Sequence, residues 1–386
     1  MNEQLQDSAE NRNTSCEQFA DPFNPFENET EFHHYNRDYS AIVPQLRLAG
    51  CSLHLMPGIQ ERRGIRRSYS RAGVGLLLHM IFSNTLSIGF MMLFYSLQTL
   101  FDTAASGGEL PDNYDILLEE YFWNSSSNGA MNLLVFMFAN LVVAIIGCKF
   151  SGITIPSLFR TKKLRPGPML LYIAIAIGLQ YICGHVAGFI SDFLSQAEIT
   201  AYEPDFSTGQ NLRFVVISAI YSCIVAPVTE ELLFRGFVLK NMSVVSQRFG
   251  IIASAVLFGL WHENISQFIL AFAVGIFMGY ITVKHDSLIP AIICHATVNT
   301  AATIFDICYT YEWHMAYTVF DCIYNAVAAI GAFMLIVMII RERLPHTTPR
   351  QQERSLRIAA TSLPLILVTA AHLVMTILLI ADSSNA

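Results

Sequence analysis

The sequence predicts an all-α fold, a polytopic helical membrane bundle of about 8–9 transmembrane helices. Of its 386 residues, 53% are hydrophobic and only 14% are charged, whereas soluble domains carry about 25% charged residues. The hydrophobic residues also form long blocks, and a helix of about 20 apolar residues spans a bilayer. Basic residues are concentrated in alternate connections between these blocks, which is typical of a chain that crosses a membrane repeatedly.

Nine apolar blocks account for the predicted helices. Two of them, residues 214–226 and 251–261, are short for a full crossing. Short apolar segments are typical of broken or re-entrant helices, which are tolerated where they line a cavity. The nine blocks are residues 73–101, 130–148, 169–189, 214–226, 251–261, 268–283, 288–304, 316–340 and 358–380.

The charges in the termini and connections predict the topology. Residues 1–36 are polar and acidic without an apolar period, so we expect them to be disordered. Five arginines between positions 62 and 71 precede the first block, which places the N-terminus in the cytoplasm. The later alternation of charge favours nine crossings over eight and places the C-terminus outside. We therefore predict a largely disordered acidic cytoplasmic tail and basic juxtamembrane segment at residues 1–70, and a membrane domain at 71–386 with a catalytic core at about 212–305.

A pair of adjacent glutamates, Glu230 and Glu231, follows a proline within an apolar region. We expect Pro227 to break or kink the incoming helix and Thr229 to begin a new one. Glu231 and Arg235 then share one face, at i and i+4, and can form an ion pair, while Glu230 faces elsewhere. Two adjacent carboxylates in a site of low dielectric constant do not both ionise easily, and a carboxylate held in this way can act as a general base toward water. The alternative is a helix cap with a surface ion pair at the cytoplasmic boundary.

Two histidines and an asparagine complete the polar set of this region. Phe258 and His262 are four residues apart on one helix face, and so are His295 and Asn299. Taken alone, His262 is equally an interfacial histidine at a helix end, and His295 with Asn299 is equally a hydrogen-bonding pair between helices. Ionisable residues inside a membrane are costly, however, so their default interpretation is functional.

These polar groups are predicted to lie at a similar depth in the cytoplasmic half of the membrane. At about 1.5 Å per helical residue from the nearest charged residue at the cytoplasmic end, Glu230 lies about 15 Å deep, His262 about 21 Å and His295 about 14 Å. Gly275 and Gly279 form a G-x-x-x-G on the intervening helix, which permits close helix packing there. A shared site that contains water is the simplest reason for three polar insertions at one depth.

The residue types favour hydrolysis by an activated water. No serine or cysteine in the sequence stands beside a histidine in a recognisable nucleophile motif. Glu230 or Glu231 would accept a proton from the water, and His262, His295 and Asn299 could hold that water and stabilise an oxyanion. Alternatively, Glu230, His262 and His295 could bind zinc or another divalent metal ion. The zincin motif H-E-x-x-H is absent because its second histidine is missing, so the cofactor stays open between a metal ion and none.

Three motifs in this order resemble the CPBP family, which comprises CAAX prenyl proteases of type II and Abi-like bacteriocin-processing or immunity proteins. The resemblance covers about residues 214–305. The motifs are Glu230-Glu231-x-x-x-Arg235, Phe258-x-x-x-His262 and His295-x-x-x-Asn299.

The resemblance implies an integral-membrane endopeptidase that opens toward the cytoplasm. It assigns the role of general base to Glu230 and implies that Glu231 and Arg235 orient the site. The remaining motif residues, His262, His295 and Asn299, would position the water or an ion. The family has been described both as metal-dependent and as glutamate-dependent without metal.

The predicted function is therefore hydrolysis of a peptide bond in a membrane-associated peptide or protein, whether CAAX-type, bacteriocin-like or other. The expected partners are this substrate and the lipid bilayer of the cell membrane, and not nucleic acid. Two alternatives stay open. An ion-coupled transporter predicts internal repeats and a continuous polar path, and the sequence has neither. A non-catalytic immunity or scaffold protein of the same fold predicts the loss of a motif position, and all six are filled.

Overall fold

The protein is a bundle of helices. The computed structural model describes residues 57–124, 126–161, 166–197, 211–342 and 348–385, together with positions 199 and 345, and this part of the chain contains no strand. Most of the predicted tail, residues 1–56, lies outside the described residues. The helices are α1 (Pro57–Ala105), α2 (Tyr114–Asn124), α3 (Ser126–Phe150), a 3-10 helix (Ile155–Phe159), α4 (Pro166–Gln196), α5 (Leu212–Met242), α6 (Gln247–Leu260), α7 (Ile265–His285), α8 (Ile289–Thr310), α9 (His314–Arg341), α10 (Pro349–Ala359) and α11 (Leu363–Asn385).

Eight of the described helices are long and apolar enough to cross a membrane: α1, α3, α4, α5, α7, α8, α9 and α11. The all-α prediction of about 8–9 membrane helices is confirmed. Helix α6 has 14 residues and is short, as the block at 251–261 predicted. The block at 214–226 was wrongly predicted to be short, because it belongs to α5, which continues for 31 residues. Helix α1 begins at Pro57 and therefore includes the basic cluster that precedes the first apolar block.

Helix α5 passes through Pro227 without ending, so of the break or kink predicted at this proline the break is wrong. A wide π-helical turn, Tyr221–Val225, precedes the proline, and the Ala226 amide bonds to the Tyr221 carbonyl five residues back. A proline inside an α-helix clashes with the carbonyl four residues earlier, and the wider turn changes that register. Thr229 does not start a helix, because its hydroxyl donates back to the Ala226 carbonyl at 3.3 Å. The remaining segments of α5 are α-helical at Leu212–Ile220, Ala226–Glu231 and Leu239–Met242, and π-helical at Leu232–Val238.

The core of the bundle surrounds the second half of α5. Phe234 and Phe237 are fully buried or nearly so, at 0% and 1% exposure. Glycines on two neighbouring helices leave room for Phe237: a Cβ atom on Gly75 of α1 would lie 2.4 Å from its ring, and one on Gly147 of α3 would lie 2.7 Å away. Helices α6 and α7 pack against each other on another side, where Gly279 of the predicted G-x-x-x-G faces α6. The helix that carries the acidic pair is therefore held from several sides.

The close approach of α4 and α9 depends on two glycines. A Cβ atom on Gly331 would lie 1.7 Å from the Ala174 carbonyl oxygen, and one on Gly178 would lie 2.5 Å from the Ala332 backbone nitrogen. We expect Gly331→Ala to lower the free energy of unfolding by about 3 kcal/mol, because the backbones must separate. The measurement is the midpoint of thermal unfolding in detergent, which should be lower for Gly331→Ala than for the wild type.

The matched control is Gly184→Ala, on α4, where an added Cβ meets nothing within 4 Å. This change is expected to leave the midpoint unchanged or raise it slightly, because alanine favours helix by up to about 1 kcal/mol over glycine. Equal midpoints for the two variants would contradict the close approach of α4 and α9.

Candidate active site

The centre of the site is a fully buried ion pair on α5. Arg235 Nη1 donates to Glu231 Oε1 at 2.9 Å, and both side chains are 0% exposed. The predicted i, i+4 pair is therefore present. Arg235 Nη2 also donates to the Gly275 carbonyl at 3.4 Å, and the guanidinium carbon lies 4.4 Å from the centre of the Phe258 ring. A Cβ atom on Gly275 would lie 3.2 Å from Nη2, so the glycine of α7 leaves the space that the guanidinium occupies.

Glu231 also orients His295 of α8. His295 Nδ1 donates to Glu231 Oε1 at 2.9 Å, so one carboxylate oxygen accepts from both the arginine and the histidine. The second ring nitrogen, Nε2, then lies 3.8 Å from Glu230 Oε2. This distance exceeds that of a direct hydrogen bond. The Glu230 side chain is 17% exposed, while that of Glu231 is fully buried, so Glu230 is the more accessible of the two carboxylates.

His262 approaches the same site from the end of α6. Its Nδ1 donates to the Phe258 carbonyl at 2.8 Å, which leaves Nε2 as the nitrogen with a lone pair in the neutral ring. The Phe258 ring lies between the two histidines, with its centre 5.1 Å from that of His262 and 5.9 Å from that of His295. The face shared by Phe258 and His262, which their spacing predicted, is therefore turned toward α8.

Asn299 lies one turn beyond His295 on α8 and bonds to the backbone of α5. Its Nδ2 donates to the Ser222 carbonyl at 2.9 Å. In the π-helical turn each amide bonds to the carbonyl five residues earlier, and the Ser222 carbonyl lies five residues before Pro227. Proline has no amide hydrogen and cannot supply this bond. Asn299 therefore satisfies the carbonyl that Pro227 leaves without an intrahelical donor. The amide group of Asn299 has two hydrogens, and the bond to Ser222 uses one of them.

A double-mutant cycle tests this coupling. Asn299→Ala is expected to lower the free energy of unfolding by about 1–3 kcal/mol, because it leaves the partly buried Ser222 carbonyl without this donor. In the Pro227→Ala background the same change is expected to cost about 1 kcal/mol less, because residue 227 then supplies its own amide hydrogen. The measurement is chemical unfolding in detergent.

The matched control is Thr297→Ala, two residues from Asn299; the Thr297 hydroxyl donates to the Ile293 carbonyl of its own helix. Its cost should be the same with and without Pro227. Equal costs of Asn299→Ala in both backgrounds would show that Asn299 does not replace the missing hydrogen bond of Pro227.

The predicted site residues thus differ in how closely they meet. Glu230, Glu231, Arg235 and His295 form one connected group, and His262 adjoins it across Phe258. Within the described part of the chain, no three His, Cys, Asp or Glu side chains are grouped as metal ligands. The predicted metal set Glu230, His262 and His295 is therefore not assembled as a ligand group among the described residues.

Sequence reasoning missed two polar residues that support the acidic pair from α1 and α3. His79 Nε2 donates to Asn140 Oδ1 at 2.8 Å, and Asn140 Nδ2 donates to Thr229 Oγ1 at 3.3 Å, directly before Glu230. His79 and Asn140 are buried, at 0% and 1% exposure. Both stand in apolar blocks, so the costliness of polar groups in a membrane was the signal that could have identified them.

An apolar cavity of about 550 Å³ lies beside the site, between α4, α5, α8 and α9. Its lining includes Val228, two residues before Glu230, and Ala296 and Thr300, which follow His295 and Asn299. The remaining lining is mostly isoleucine, valine and aromatic residues from the four helices. Val228 and Glu230 are two residues apart and do not share a helix face, so the cavity adjoins the helices that carry the site and is not lined by the Glu230 carboxylate.

Residues 212–301 match a protein-family model described as type II CAAX prenyl endopeptidase Rce1-like. The matched segment contains α5, α6, α7 and most of α8, and with them all six predicted site residues. The resemblance drawn from the motifs is thereby confirmed for this segment. No curated protein and no solved structure matches the chain. The family match and the apolar helices support an integral membrane protein and, in general, protease activity of the CAAX type.

Proposed function

We propose that this protein is an intramembrane endopeptidase that hydrolyses a peptide bond of a membrane-associated substrate with a glutamate-activated water. The observation that carries the proposal is the separation of 3.8 Å between Glu230 Oε2 and His295 Nε2. A water about 2.8 Å from both atoms fits at the apex of a triangle on this base. The bonds from Arg235 through Glu231 to His295 hold the histidine in that orientation without the water.

In the proposed reaction, Glu230 accepts a proton from the water and the water oxygen forms a bond to the scissile carbonyl carbon. Neutral His295 donates through Nδ1 to Glu231, so its Nε2 accepts the second hydrogen of the water and orients the attack. The second amide hydrogen of Asn299 is assigned to the developing oxyanion. His262 donates through Nδ1 to the Phe258 carbonyl, so its Nε2 is assigned to accept a hydrogen bond from an N–H group of the substrate. The proton held by Glu230 then passes to the amide nitrogen as the carbon–nitrogen bond breaks.

The cavity supports a substrate that is itself apolar or lipidated near the scissile bond. Its lining is apolar and comes in part from α5 and α8, the helices that carry Glu230 and His295, so a lipid chain or apolar side chains would lie there while the peptide extends toward the site. A CAAX-type substrate or a bacteriocin-like precursor fits this description. We propose that the site is reached from the cytoplasm, because the positive charges of the connections place its nearer end there.

The test is cleavage by the purified protein in proteoliposomes. The peptides are a prenylated CAAX peptide, the same peptide without its lipid, a bacteriocin-like leader and an all-D version of the first as the control. We expect cleavage of at least one L-peptide and none of the D-peptide. Cleavage that persists with a zinc chelator supports the glutamate-activated water, and loss that added zinc restores would replace it by a metal mechanism. A folded protein inert toward every peptide would favour the non-catalytic scaffold.

A further inference from the structure

The turn that carries His262 has an unfavourable backbone conformation. Glu263, the next residue, has φ of 55°, in the left-handed region that non-glycine residues seldom adopt. Such a conformation costs about 1–3 kcal/mol and persists where the surroundings impose it. On one side Asn264 caps α7, accepting from the Gln267 amide at 2.8 Å, and donates to the His262 carbonyl at 3.1 Å. These local bonds connect the turn to α7 but not to the rest of the bundle.

A hydrogen bond from a helix distant in sequence attaches the turn to the rest of the bundle. His372 of α11 donates through Nδ1 to Glu263 Oε1 at 2.8 Å, across 109 residues of sequence. His372 is 4% exposed and the Glu263 side chain 27%, so the hydrogen bond is partly shielded from solvent. The His372 ring also lies 5.3 Å from the Trp261 ring, centre to centre, and His79 of α1 packs on the same indole at 4.1 Å. Both neighbours of His262 in sequence, Trp261 and Glu263, are thus held by helices outside the family-matched segment.

We propose that His372 and Glu263 form a positioning pair that fixes His262 in the active site. Neither residue contacts the reacting atoms in this assignment; the pair acts through the backbone of the turn. The role in catalysis rests on the proposed function, whereas the attachment of the turn does not. Outer partners of site residues commonly change activity about 10–100-fold when they are removed. The C-terminal helix would then be part of the catalytic apparatus although the family match ends at residue 301.

The experiment compares His372→Phe and His372→Asn in the full-length protein. Phenylalanine keeps a ring of similar size without a donor, whereas asparagine places an N–H close to the position of Nδ1. Thr369→Ala, one turn earlier on α11 and bonded to its own helix, is the control. Two quantities are measured: hydrogen exchange of the amides at 261–266, and kcat and KM on the peptide that the wild type cleaves.

We expect His372→Phe to exchange about ten-fold faster in the turn and to lose about ten-fold in kcat with KM unchanged, and His372→Asn to recover most of both. Unchanged exchange in His372→Phe would overturn the proposal whatever the activity. Faster exchange with unchanged kcat would overturn the positioning role. If the wild type cleaves no peptide but exchange responds as expected, the proposed function fails and the attachment of the turn stands. Glu263→Ala, at a side chain 27% exposed, carries the same test should His372→Phe not fold.

Discussion

Glu230→Gln is expected to lower kcat about 1,000-fold while the protein stays folded, because general-base catalysis contributes about 10²–10⁴-fold. The amide has nearly the shape of the carboxylate but cannot accept a proton from water. Its oxygen can still accept a hydrogen bond, so binding of the water and the substrate should persist and KM should change little. The side chain of Glu230 is 17% exposed and lies beyond direct hydrogen-bond distance of His295, at 3.8 Å, so the fold should tolerate an amide of the same shape.

The control for this prediction is Glu312→Gln, in the turn between α8 and α9, where an exposed carboxylate is removed from outside the site. It should cleave as fast as the wild type. Glu230→Asp withdraws the carboxylate by one methylene. Its kcat should lie between those of Glu230→Gln and the wild type, because water activation depends on distance. A Glu230→Gln variant with wild-type kcat would refute Glu230 as the general base and would direct attention to Glu231.

The part of the site that sequence predicted follows from the helical period. Glu231 and Arg235 lie four residues apart, and this spacing alone places them on one face. The ion pair at 2.9 Å is the direct consequence. The same reasoning placed Phe258 and His262 on one face of their helix. Contacts between residues of one helix can therefore be predicted from the sequence.

Contacts between residues of different helices could not be predicted in this way. Pro227 was expected to break or kink its helix, and the helix continues. The expectation considered one helix alone and could not include Asn299, which lies 77 residues from Ser222 in sequence and donates to its carbonyl. The pair of Glu263 and His372 spans 109 residues and has no period that would reveal it. The predicted metal site has the same limitation. The residue types suggested a set of ligands, but metal binding depends on distances between side chains on three different helices.

The buried ion pair gives the largest expected effect on stability. Glu231→Leu is expected to lower the free energy of unfolding by about 3–5 kcal/mol, because it leaves the fully buried guanidinium of Arg235 without a counter-charge. It should also abolish cleavage, because His295 loses the oxygen that accepts from Nδ1 at 2.9 Å. Stability alone would therefore explain the lost activity of this single variant, and a second variant is needed.

The double variant Glu231→Leu/Arg235→Met separates the two effects. It removes both charges and fills their space with apolar side chains, which is often neutral or stabilising for a buried pair. We expect the unfolding midpoint in detergent to return close to that of the wild type while kcat stays about 100-fold or more below it, because His295 still lacks its acceptor. A double variant that regains cleavage together with stability would show that the pair serves only the fold. In that case the orientation of His295 toward Glu230 would have to come from α8 itself.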